Sequence, residues 1–364
     1  MSFGLERLRA EFPVLERLAY LNAGTFGPLP RRTAVAQAAW LRRALEEGRA
    51  GHPFFLEVLG LRDELRARLG SLVGAPADAM ALTTSTTEGC NIVVAGLGLG
   101  PDDEIVTTDS EHPGLLGPLR TSGARVRVAR VSEVPADGAL EVLEREIGPA
   151  TRLVAVSHVL WTTGHVLPLE RLAGREFRLL VDGAQSAGAI PVDVGALGVD
   201  YYTVSGQKWL CGPDSTGALY VRSDERGELT MRTASYMSWA DVAELEPWPG
   251  ARRHESVWLP PGSLAGLLAS LNLADEAGEE RYAAARAVTE RCRELIGERA
   301  DVVTEPGQAT LVSFRPRGAE AAEVVERCAE RAVVVRELPG TGMVRASCGW
   351  WTDEDDLQRL VGAL

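Results

Sequence analysis

The chain has 364 residues, a length that predicts one large domain with a smaller one beside it. Its hydrophobic fraction of 45% is ordinary for a globular protein, and no uncharged apolar stretch is long enough to span a bilayer, which argues against a membrane protein. A net charge of −13 without any run of basic residues argues against a nucleic-acid partner.

The first regular pattern lies between about residues 78 and 222, where short β-branched runs alternate with helical patterns. This alternation is typical of βαβ units, whose strands form a parallel sheet. Seven strands are predicted: Met80–Thr84, Glu104–Asp109, Arg125–Val131, Arg152–His158, Arg178–Asp182, Tyr201–Ser205 and Gly217–Val221. The predicted fold class is therefore α/β, with a mostly parallel seven-stranded sheet.

Beyond Val221 the pattern changes, and a long helical stretch covers roughly residues 263–297. The segments that follow predict a strand, a helix, two strands and a last helix: Ala309–Arg315, Ala319–Arg331, Ala332–Glu337, Met343–Cys348 and Asp353–Leu364. Such a mixture is typical of a small α+β domain. We predict a large domain over residues 19–250, a small C-terminal domain over residues 251–364, and an N-terminal segment, residues 1–18, that packs with the small domain.

The cysteines and the first residues of the chain bear on its location. Five cysteines, an odd number without CxxC spacing, argue against a disulfide framework and against a zinc site. Charged residues interrupt the first ten positions, where a signal peptide needs an unbroken apolar run. The sequence thus predicts a cytoplasmic protein without a bound metal.

Lys208 is the only lysine among the 38 basic residues of the chain. A guanidinium stays protonated, whereas a lysine amine with a lowered pKa can form a Schiff base with a carbonyl. Lys208 follows the predicted strand Tyr201–Ser205, and ligands of open α/β sheets collect at the carboxyl ends of strands. Ser205 and Gln207 beside it could hydrogen-bond a phosphate. The alternative is a solvated surface lysine.

Asp182 ends another predicted strand, so its carboxylate is expected at the same edge of the sheet. A carboxylate beside a pyridine nitrogen keeps that nitrogen protonated, which lets the ring of pyridoxal 5′-phosphate accept electrons. Gln185, three residues later, could bond the phenolic oxygen of the ring. An aspartate that caps a helix is the structural alternative. Lys208 and Asp182 together predict a pyridoxal phosphate site.

Two further strand ends carry residues that suit this cofactor. The segment 84–87 leads into a helical pattern that starts near Glu88, and free amides and hydroxyls at a helix N-terminus bind phosphate. Ser85 and Glu88 also fit a capping box, and both roles can hold at once. His112 follows the strand Glu104–Asp109, where an imidazole could stack on the ring and exchange protons near the substrate. A turn or capping histidine is the alternative.

Seven motifs are spread over nearly the whole chain: Asn22-Ala-Gly-Thr25, Ser85-Thr-Thr-Glu88, Glu111-His112, Val156-Ser-His158, Asp182-Gly-Ala-Gln185, Ser205-Gly-Gln-Lys208 and Arg345-Ala-Ser347. Together they resemble the class V aminotransferase superfamily of pyridoxal phosphate enzymes. Within it the chain looks most like the cystine and cysteine C–S lyases, through Glu111-His-Pro-Gly114, Leu160-Trp-Thr-Thr-Gly164, 181–188 and 344–348. Isopenicillin N epimerase-like members share several of these strings.

The resemblance implies a fold-type-I enzyme that binds pyridoxal phosphate, acts on an amino acid and forms a homodimer with active sites at the subunit interface. The catalytic residues it implies are Lys208, which holds the cofactor as a Schiff base, Asp182, which pairs with the ring nitrogen, and His112, which stacks on the ring. Further cofactor contacts are assigned to Thr86, Thr87, Gln185, Ser205 and Gln207, and substrate contacts to Ala23, Thr25, Arg336 and Arg345.

The reaction that the resemblance favours is β-elimination from cystine or cysteine, which yields pyruvate, ammonia and a sulfur product. Cysteine desulfurases carry a nucleophilic cysteine shortly before the substrate-binding arginine, and the segment 337–343 contains none, which argues against a persulfide on the protein. Transamination and epimerisation are alternatives, because the same carbanion can take any of these paths. The alternative from another class is a non-catalytic ligand-binding or scaffold protein.

Overall fold

The computed structural model describes residues 4–225 and 228–364. Helices and strands alternate up to Val221. Numbered in chain order, these elements are α1 (Leu5–Arg9), β1 (Ala19–Tyr20), α2 (Arg31–Glu46), α3 (His52–Val73), β2 (Met80–Thr83), α4 (Thr86–Leu97), β3 (Glu104–Thr108), α5 (Pro113–Thr121), β4 (Arg125–Ala129), α6 (Ala136–Glu146), β5 (Thr151–Ser157), β6 (Arg178–Asp182), α7 (Val194–Leu197), β7 (Tyr201–Ser205) and β8 (Gly217–Val221).

The C-terminal part begins with a small hairpin and continues through two long helices into a second sheet. Its elements are β9 (Trp239–Asp241), β10 (Glu246–Pro247), α8 (Pro261–Ala277), α9 (Glu280–Gly297), β11 (Ala300–Val302), β12 (Leu311–Pro316), α10 (Ala321–Glu330), β13 (Val333–Val334), β14 (Arg336–Leu338), β15 (Met343–Ser347) and α11 (Glu354–Val361).

Strands β2 to β8 form one seven-stranded sheet in the order β2-β8-β7-β6-β5-β3-β4. All neighbours are parallel except β8, which is antiparallel to both β2 and β7. The seven predicted strands and the mostly parallel arrangement are confirmed. From β3 the chain moves to β4 on one side, and from β5 it moves to β6 on the other. The switch point of the topology, where ligands of open sheets collect, therefore lies between β3 and β5.

Alternate residues of the central strands face two separate cores, because successive side chains of a strand point to opposite faces. In β5, Val154 and Val156 belong to the core that contains residues of α3 and α6. Leu153 and Ala155 belong to the core that contains residues of α4 and α5. Helices therefore cover both faces of the sheet, which gives the three layers of a doubly wound α/β domain.

A smaller antiparallel sheet in the order β11-β12-β15-β14 organises the C-terminal part. Helices α9, α10 and α11 share a core with it that includes Leu295, Val324 and Leu357. The predicted mixture of strands and helices is present here. The single helical stretch expected over residues 263–297 is wrong, because Gly278 adopts φ 67° and ψ −171° between α8 and α9. Only glycine enters that conformation readily, so the helix ends there.

The N-terminal segment packs on the C-terminal part. The rings of Phe12 and Trp351 lie 5.3 Å apart, and the Arg9 guanidinium pairs with Asp353 and Asp356. Strand β1 continues this contact by pairing with β13. Several leucines of α8, by contrast, belong to the core of the seven-stranded sheet. The division of the chain into domains at residues 18 and 250 stays a prediction.

Candidate active site

A cavity of about 220 Å³ opens at the carboxyl ends of the sheet strands, beside the switch point. It brings together ten of the predicted site residues: Thr25, Thr86, Thr87, His112, Asp182, Gln185, Ser205, Gln207, Lys208 and Arg336. Arg345 lies immediately behind its wall, bonded to Thr25. A larger groove of about 490 Å³ near α3 and α8 contains none of the predicted residues, so its size does not indicate the site.

Lys208 lies in the turn that follows β7. Burial lowers the pKa of its amine to about 8; Asp182 opposes that shift, while Arg345 and Arg336 add to it. The segment between β1 and α2 packs against this turn, since Gly27 donates its N–H to the Gln207 carbonyl. A lysine with this pKa is partly unprotonated near neutral pH and can act as a nucleophile or a base.

Asp182 and Gln185 are held firmly at the end of β6. One carboxylate oxygen of Asp182, Oδ1, accepts hydrogen bonds from the Ala184 N–H at 2.9 Å and the Thr203 hydroxyl at 3.4 Å. The Gln185 amide donates to the Gly24 carbonyl at 2.8 Å and accepts from the indole of Trp209 at 3.1 Å. Both side chains are therefore oriented before any ligand binds.

The N-terminus of α4 forms an anion site at one end of the cavity. Ser85 caps the helix by accepting the Glu88 N–H at 3.1 Å, and Thr86 and Thr87 occupy the first helical positions with amides that have no partner within the helix. The helix starts at Thr86 and not near Glu88 as expected. Only half of the predicted capping box forms, because the Glu88 carboxylate bonds Thr84 instead of the Ser85 N–H.

Ser205 and Gln207 line the cavity next to the lysine turn. The Ser205 hydroxyl donates to the Gln207 Oε1 at 3.0 Å, which orients that amide. The Gln207 Nε2 group, with two N–H donors, can then serve a phosphate. The pair therefore complements the anion site at the start of α4.

His112 caps helix α5, which was the structural alternative, and it also lines the cavity, while its stacking on a cofactor ring stays a prediction. Its Nδ1 accepts the Gly114 N–H at 3.0 Å, which assigns the proton of the neutral ring to Nε2. Burial and, to a lesser extent, the charge of Lys208 lower the pKa of His112 to about 4. The imidazole meets Trp161 edge-on, with ring centroids 5.1 Å apart.

Two arginines from the small sheet converge on Thr25. The fully buried Arg345 donates to the Trp161 carbonyl at 2.9 Å and to the Thr25 hydroxyl at 3.4 Å, while its Nε has no partner. Arg336 donates to the same hydroxyl at 3.2 Å. Burial, aided by Arg336, lowers the pKa of Arg345 to about 9. Two close cations with unused donors favour binding of a carboxylate.

Two predicted residues, Ala23 and Arg345, do not line the cavity, and four lining residues received no individual role from the sequence: Gly24, Phe26, Trp161 and Ala184. The Ala23 side chain packs with Phe12 and Trp209 in an apolar cluster, so its assignment as a substrate contact stays a prediction. Trp161 belongs to the motif Leu160-Trp-Thr-Thr-Gly164 but was given no role from the sequence; in the structure it contacts His112 and anchors Arg345. Its position shortly after a predicted strand was the signal that could have identified it.

Known proteins match the chain over nearly its whole length. The family Aminotransferase class-V matches residues 23–360. Isopenicillin N epimerase of Streptomyces clavuligerus is 31% identical over 94% of this chain and 93% of its own. A cysteine desulfurase of Klebsiella pneumoniae is 31% identical over 100% of this chain and 98% of its own. A solved complex of the cystine C-S lyase C-DES with its reaction product cysteine persulfide has a TM-score of 0.91 and 33% identity, covering 96% of this chain and 98% of that chain.

These matches confirm the resemblance that the motifs carried and the fold-type-I architecture. The matched region includes Lys208, Asp182 and Arg345. The structure brings Lys208 and Asp182 together in one cavity, with Arg345 behind its wall. The chain belongs to the class-V aminotransferase family.

Proposed function

We propose that this protein is a pyridoxal-phosphate-dependent C–S lyase that releases pyruvate, ammonia and a sulfur product from cystine or cysteine. The observation that carries the proposal is the convergence of Lys208, Asp182 and a helix N-terminus on one cavity, next to two arginines. The likeness to a cystine C-S lyase and to cysteine desulfurases over nearly the full chain supports this choice of reaction.

The residues of the cavity fit pyridoxal phosphate. The hydrogen bonds from Ala184 and Thr203 both end on Oδ1 of Asp182, which leaves Oδ2 for a ring nitrogen. The amides of Thr86 and Thr87 at the start of α4 suit the phosphate. When bound, the cofactor supplies a carbonyl carbon that joins an amine and a ring that accepts the electrons released at Cα.

Each of the central residues then has a defined task. The Lys208 amine, with its pKa near 8, removes the proton from the substrate Cα and afterwards carries that proton as an ammonium. Asp182 keeps the ring nitrogen protonated. Arg345 and Arg336 hold the substrate carboxylate, which fixes the direction of the Cα–H bond relative to Lys208. Elimination proceeds when the electrons released at Cα form a Cα=Cβ double bond while the Cβ–S bond breaks, so that the sulfur leaves with the electron pair. Water then hydrolyses the released enamine to pyruvate and ammonia.

The proton for the departing sulfur is assigned to the ammonium of Lys208. The sequence suggested that His112 exchanges protons near the substrate, but a pKa of about 4 leaves little imidazolium at neutral pH. A neutral imidazole is too weak an acid to protonate the departing sulfur, but its flat ring can stack on the cofactor ring. We therefore assign to His112 the role of stacking on the ring and of donating a hydrogen bond from Nε2.

A persulfide on the protein does not fit this chain. All five cysteines lie in the part that the structure describes, and each is buried. The turn between β14 and β15, which precedes Arg345, contains glycine and threonine but no cysteine. Sulfur therefore leaves with the small-molecule product and is not passed to a protein thiol.

The reaction is tested by incubating the holoenzyme with cystine and with cysteine, with and without a 2-keto acid. Elimination gives pyruvate and a sulfur product without any second substrate. Pyruvate that forms only when a keto acid is added, together with a new amino acid, would establish transamination instead. A change in the D/L ratio of the recovered amino acid, without pyruvate, would establish epimerisation.

The attachment of the cofactor is tested by borohydride reduction and peptide mapping. We expect the label on the peptide that contains Lys208 and none in the Lys208→Arg variant, because a guanidinium forms no Schiff base. A wild-type protein that takes up no label would support a non-catalytic ligand-binding or scaffold protein.

We also propose that the enzyme is a homodimer with its sites at the subunit interface. Phe26 lines the cavity and is 49% exposed. Large apolar side chains are exposed along the segment that follows it: Leu29, Val35, Leu41, Leu45, Phe55 and Leu56. Several large apolar side chains exposed within one segment favour a subunit interface there.

The helices and the cysteines bear on the location of the protein. Within residues 4–225 and 228–364, every helix is too short or too polar to cross a membrane. A cytoplasmic location stays a prediction from the unpaired cysteines.

A further inference from the structure

Glu111 is a buried acid that the proposed reaction does not use. Its side chain is only 4% exposed and lies where β3 and β5 end. One carboxylate oxygen, Oε1, accepts the Thr108 hydroxyl at 2.8 Å. The other, Oε2, accepts the N–H of Ser157 at 3.0 Å and its hydroxyl at 2.5 Å. Glu111 therefore links the ends of two neighbouring strands.

This link spans the switch point of the sheet. The backbone ladder between β3 and β5 runs to the pair Val106 and Val154, and Glu111 joins the strands farther along, at Thr108 and Ser157. In such sheets the strands on either side of the switch point lead to helices on opposite faces, which leaves a crevice between them. The Glu111 carboxylate therefore lies at the switch point of the sheet.

Both neighbours of Glu111 belong to the site. His112 is the next residue along the chain and caps the N-terminus of α5. Ser157 is the register partner of Asp182 in the ladder between β5 and β6. A change at Glu111 is therefore transmitted to the imidazole and to the acid that faces the ring nitrogen.

The charges around Glu111 come from few groups. Asp182 acts on it from β6, and the Cys90 thiol faces it from α4. Burial raises the pKa of Cys90 well above its usual range, so this thiol is neutral. The pKa of Glu111 is raised to about 7, mainly by burial and in addition by the charge of Asp182. The hydrogen bonds from Ser157 and Thr108 oppose this rise. The carboxyl group of Glu111 thus changes its charge near neutral pH.

We propose that Glu111 is a positioning residue whose side chain holds together the ends of β3, which leads to His112, and of β5, which pairs with the strand of Asp182, and whose charge changes the electrostatic field at Asp182. The inference rests on the proposed function, because Asp182 acts on the ring nitrogen of the cofactor. An ionised Glu111 favours the protonated form of the bound cofactor, since a nearby negative charge stabilises a proton on a neighbouring group. A neutral side chain removes that effect.

The test compares Glu111→Gln with Glu111→Ala in the holoenzyme. Glutamine can still accept the hydrogen bonds of Ser157 but cannot ionise, whereas alanine loses both functions. In both variants we expect the bound cofactor to lose its proton at a pH about one unit lower than in the wild type. A pH titration of the visible absorbance measures this shift. Only the alanine variant is expected to weaken cofactor binding, by about tenfold, because it leaves the Ser157 donors without a partner.

Asp200→Asn is the matched control. Asp200 is also a buried carboxylate with a raised pKa, but it lies at the opposite end of the sheet, where it accepts the Leu179 N–H and pairs with Arg222. This variant is expected to lower stability without moving the titration. The inference is overturned if Glu111→Gln titrates like the wild type, or if Asp200→Asn shifts the titration equally. A wild type that attaches no cofactor to Lys208 overturns the proposed function itself.

Discussion

Lys208 illustrates how a single residue lowers the stability of the fold in exchange for reactivity. Its pKa is lowered from 10.5 in the ordinary lysine side chain to about 8 in the folded protein. Between these pH values the unfolded chain holds a proton that the folded chain has released. Stability contributed by this group therefore rises with pH from 8 to 10.5, and the penalty is complete below pH 8.

We predict that Lys208→Met stabilises the protein without cofactor at pH 7, by at most about 3 kcal/mol, because the penalty of a buried ammonium disappears. Lys208 is partly accessible through the cavity, so that figure is an upper limit. The gain should shrink as the pH rises from 8 to 10.5. Urea unfolding at several pH values measures it, with Lys208→Arg as a control that keeps the charge. A gain that does not change with pH would contradict the argument.

Gly24 is a second residue whose size decides the geometry of the site. A Cβ atom at this position would lie 2.8 Å from Nη2 of Arg345, 2.9 Å from the Ser347 hydroxyl and 3.0 Å from Oε1 of Gln185. Real Cβ contacts are longer, so Arg345 would have to move. Its other anchor, the Trp161 carbonyl, restricts where it can go.

We predict that Gly24→Ala raises the KM for cystine or cysteine by about tenfold, because the carboxylate-binding guanidinium is displaced. The cofactor should remain on Lys208, which the visible absorbance reports. Gly117→Ala is the control, since a Cβ there meets nothing within 4 Å and helix α5 gains a better helix former. An unchanged KM in Gly24→Ala would show that Arg345 is free to adjust.

At the scale of elements, a buried ion cluster fastens α3 to the sheet and to the segment before α8. Oε2 of Glu255 accepts both Nε and Nη2 of Arg62, the latter at 2.5 Å. Its Oε1 accepts Arg66 at 2.7 Å and the N–H of Leu82 in β2 at 3.0 Å. Arg62 and Glu255 are completely buried, so no water can replace a lost partner.

We predict that Glu255→Gln lowers the free energy of unfolding by about 3 to 5 kcal/mol, because the buried Arg62 guanidinium loses its counter-charge and Arg66 keeps only its pair with Asp63. Urea denaturation measures the change. Glu47→Gln is the control, since it breaks an exposed pair with Arg43 within α2 and should leave stability unchanged. A loss as small as that of the control would mean that the cluster relaxes or admits water.

Elements with strong local patterns could be predicted from the sequence, and those defined by distant partners could not. The strands β2 to β8 are β-branched or apolar runs bounded by turns, and all seven were recognised. Strand β11 has three residues, Ala300–Val302, and exists because it pairs with β12. Strand β1 has two, and its partner β13 lies more than 300 residues away. Neither carries a periodic pattern that is visible in the chain itself.

The candidate site divides in the same way. Lys208, Asp182 and His112 follow predicted strands, and the carboxyl ends of parallel strands meet at one edge, so their convergence could be inferred. The contact of Arg345 with Trp161 and Thr25 depends on how the small sheet sits against the N-terminal segment. Family resemblance alone singled out this arginine, because one arginine among many has no local signature.

At the scale of the whole molecule, the exposed leucines of α2 bear on the proposed homodimer. Leu41 and Leu45 are 74% and 84% exposed, one helical turn apart, on the segment that continues from the cavity residue Phe26. Charged residues on solvent-facing helix positions change the stability of a monomer little, whereas two like charges facing their copies across an interface repel. The pair therefore offers a way to separate the subunits without unfolding them.

We predict that the double variant Leu41→Glu with Leu45→Glu is a folded monomer by size-exclusion chromatography with light scattering, while the wild type is a dimer. Val128→Glu is the matched control, because Val128 is 40% exposed on the edge strand β4, away from α2, and its substitution should leave the dimer intact. Activity should fall together with dimerisation, because Phe26 places the cavity at the same surface. A double variant that remains dimeric would move the interface elsewhere, and a monomeric wild type would mean that each cavity is complete within one chain.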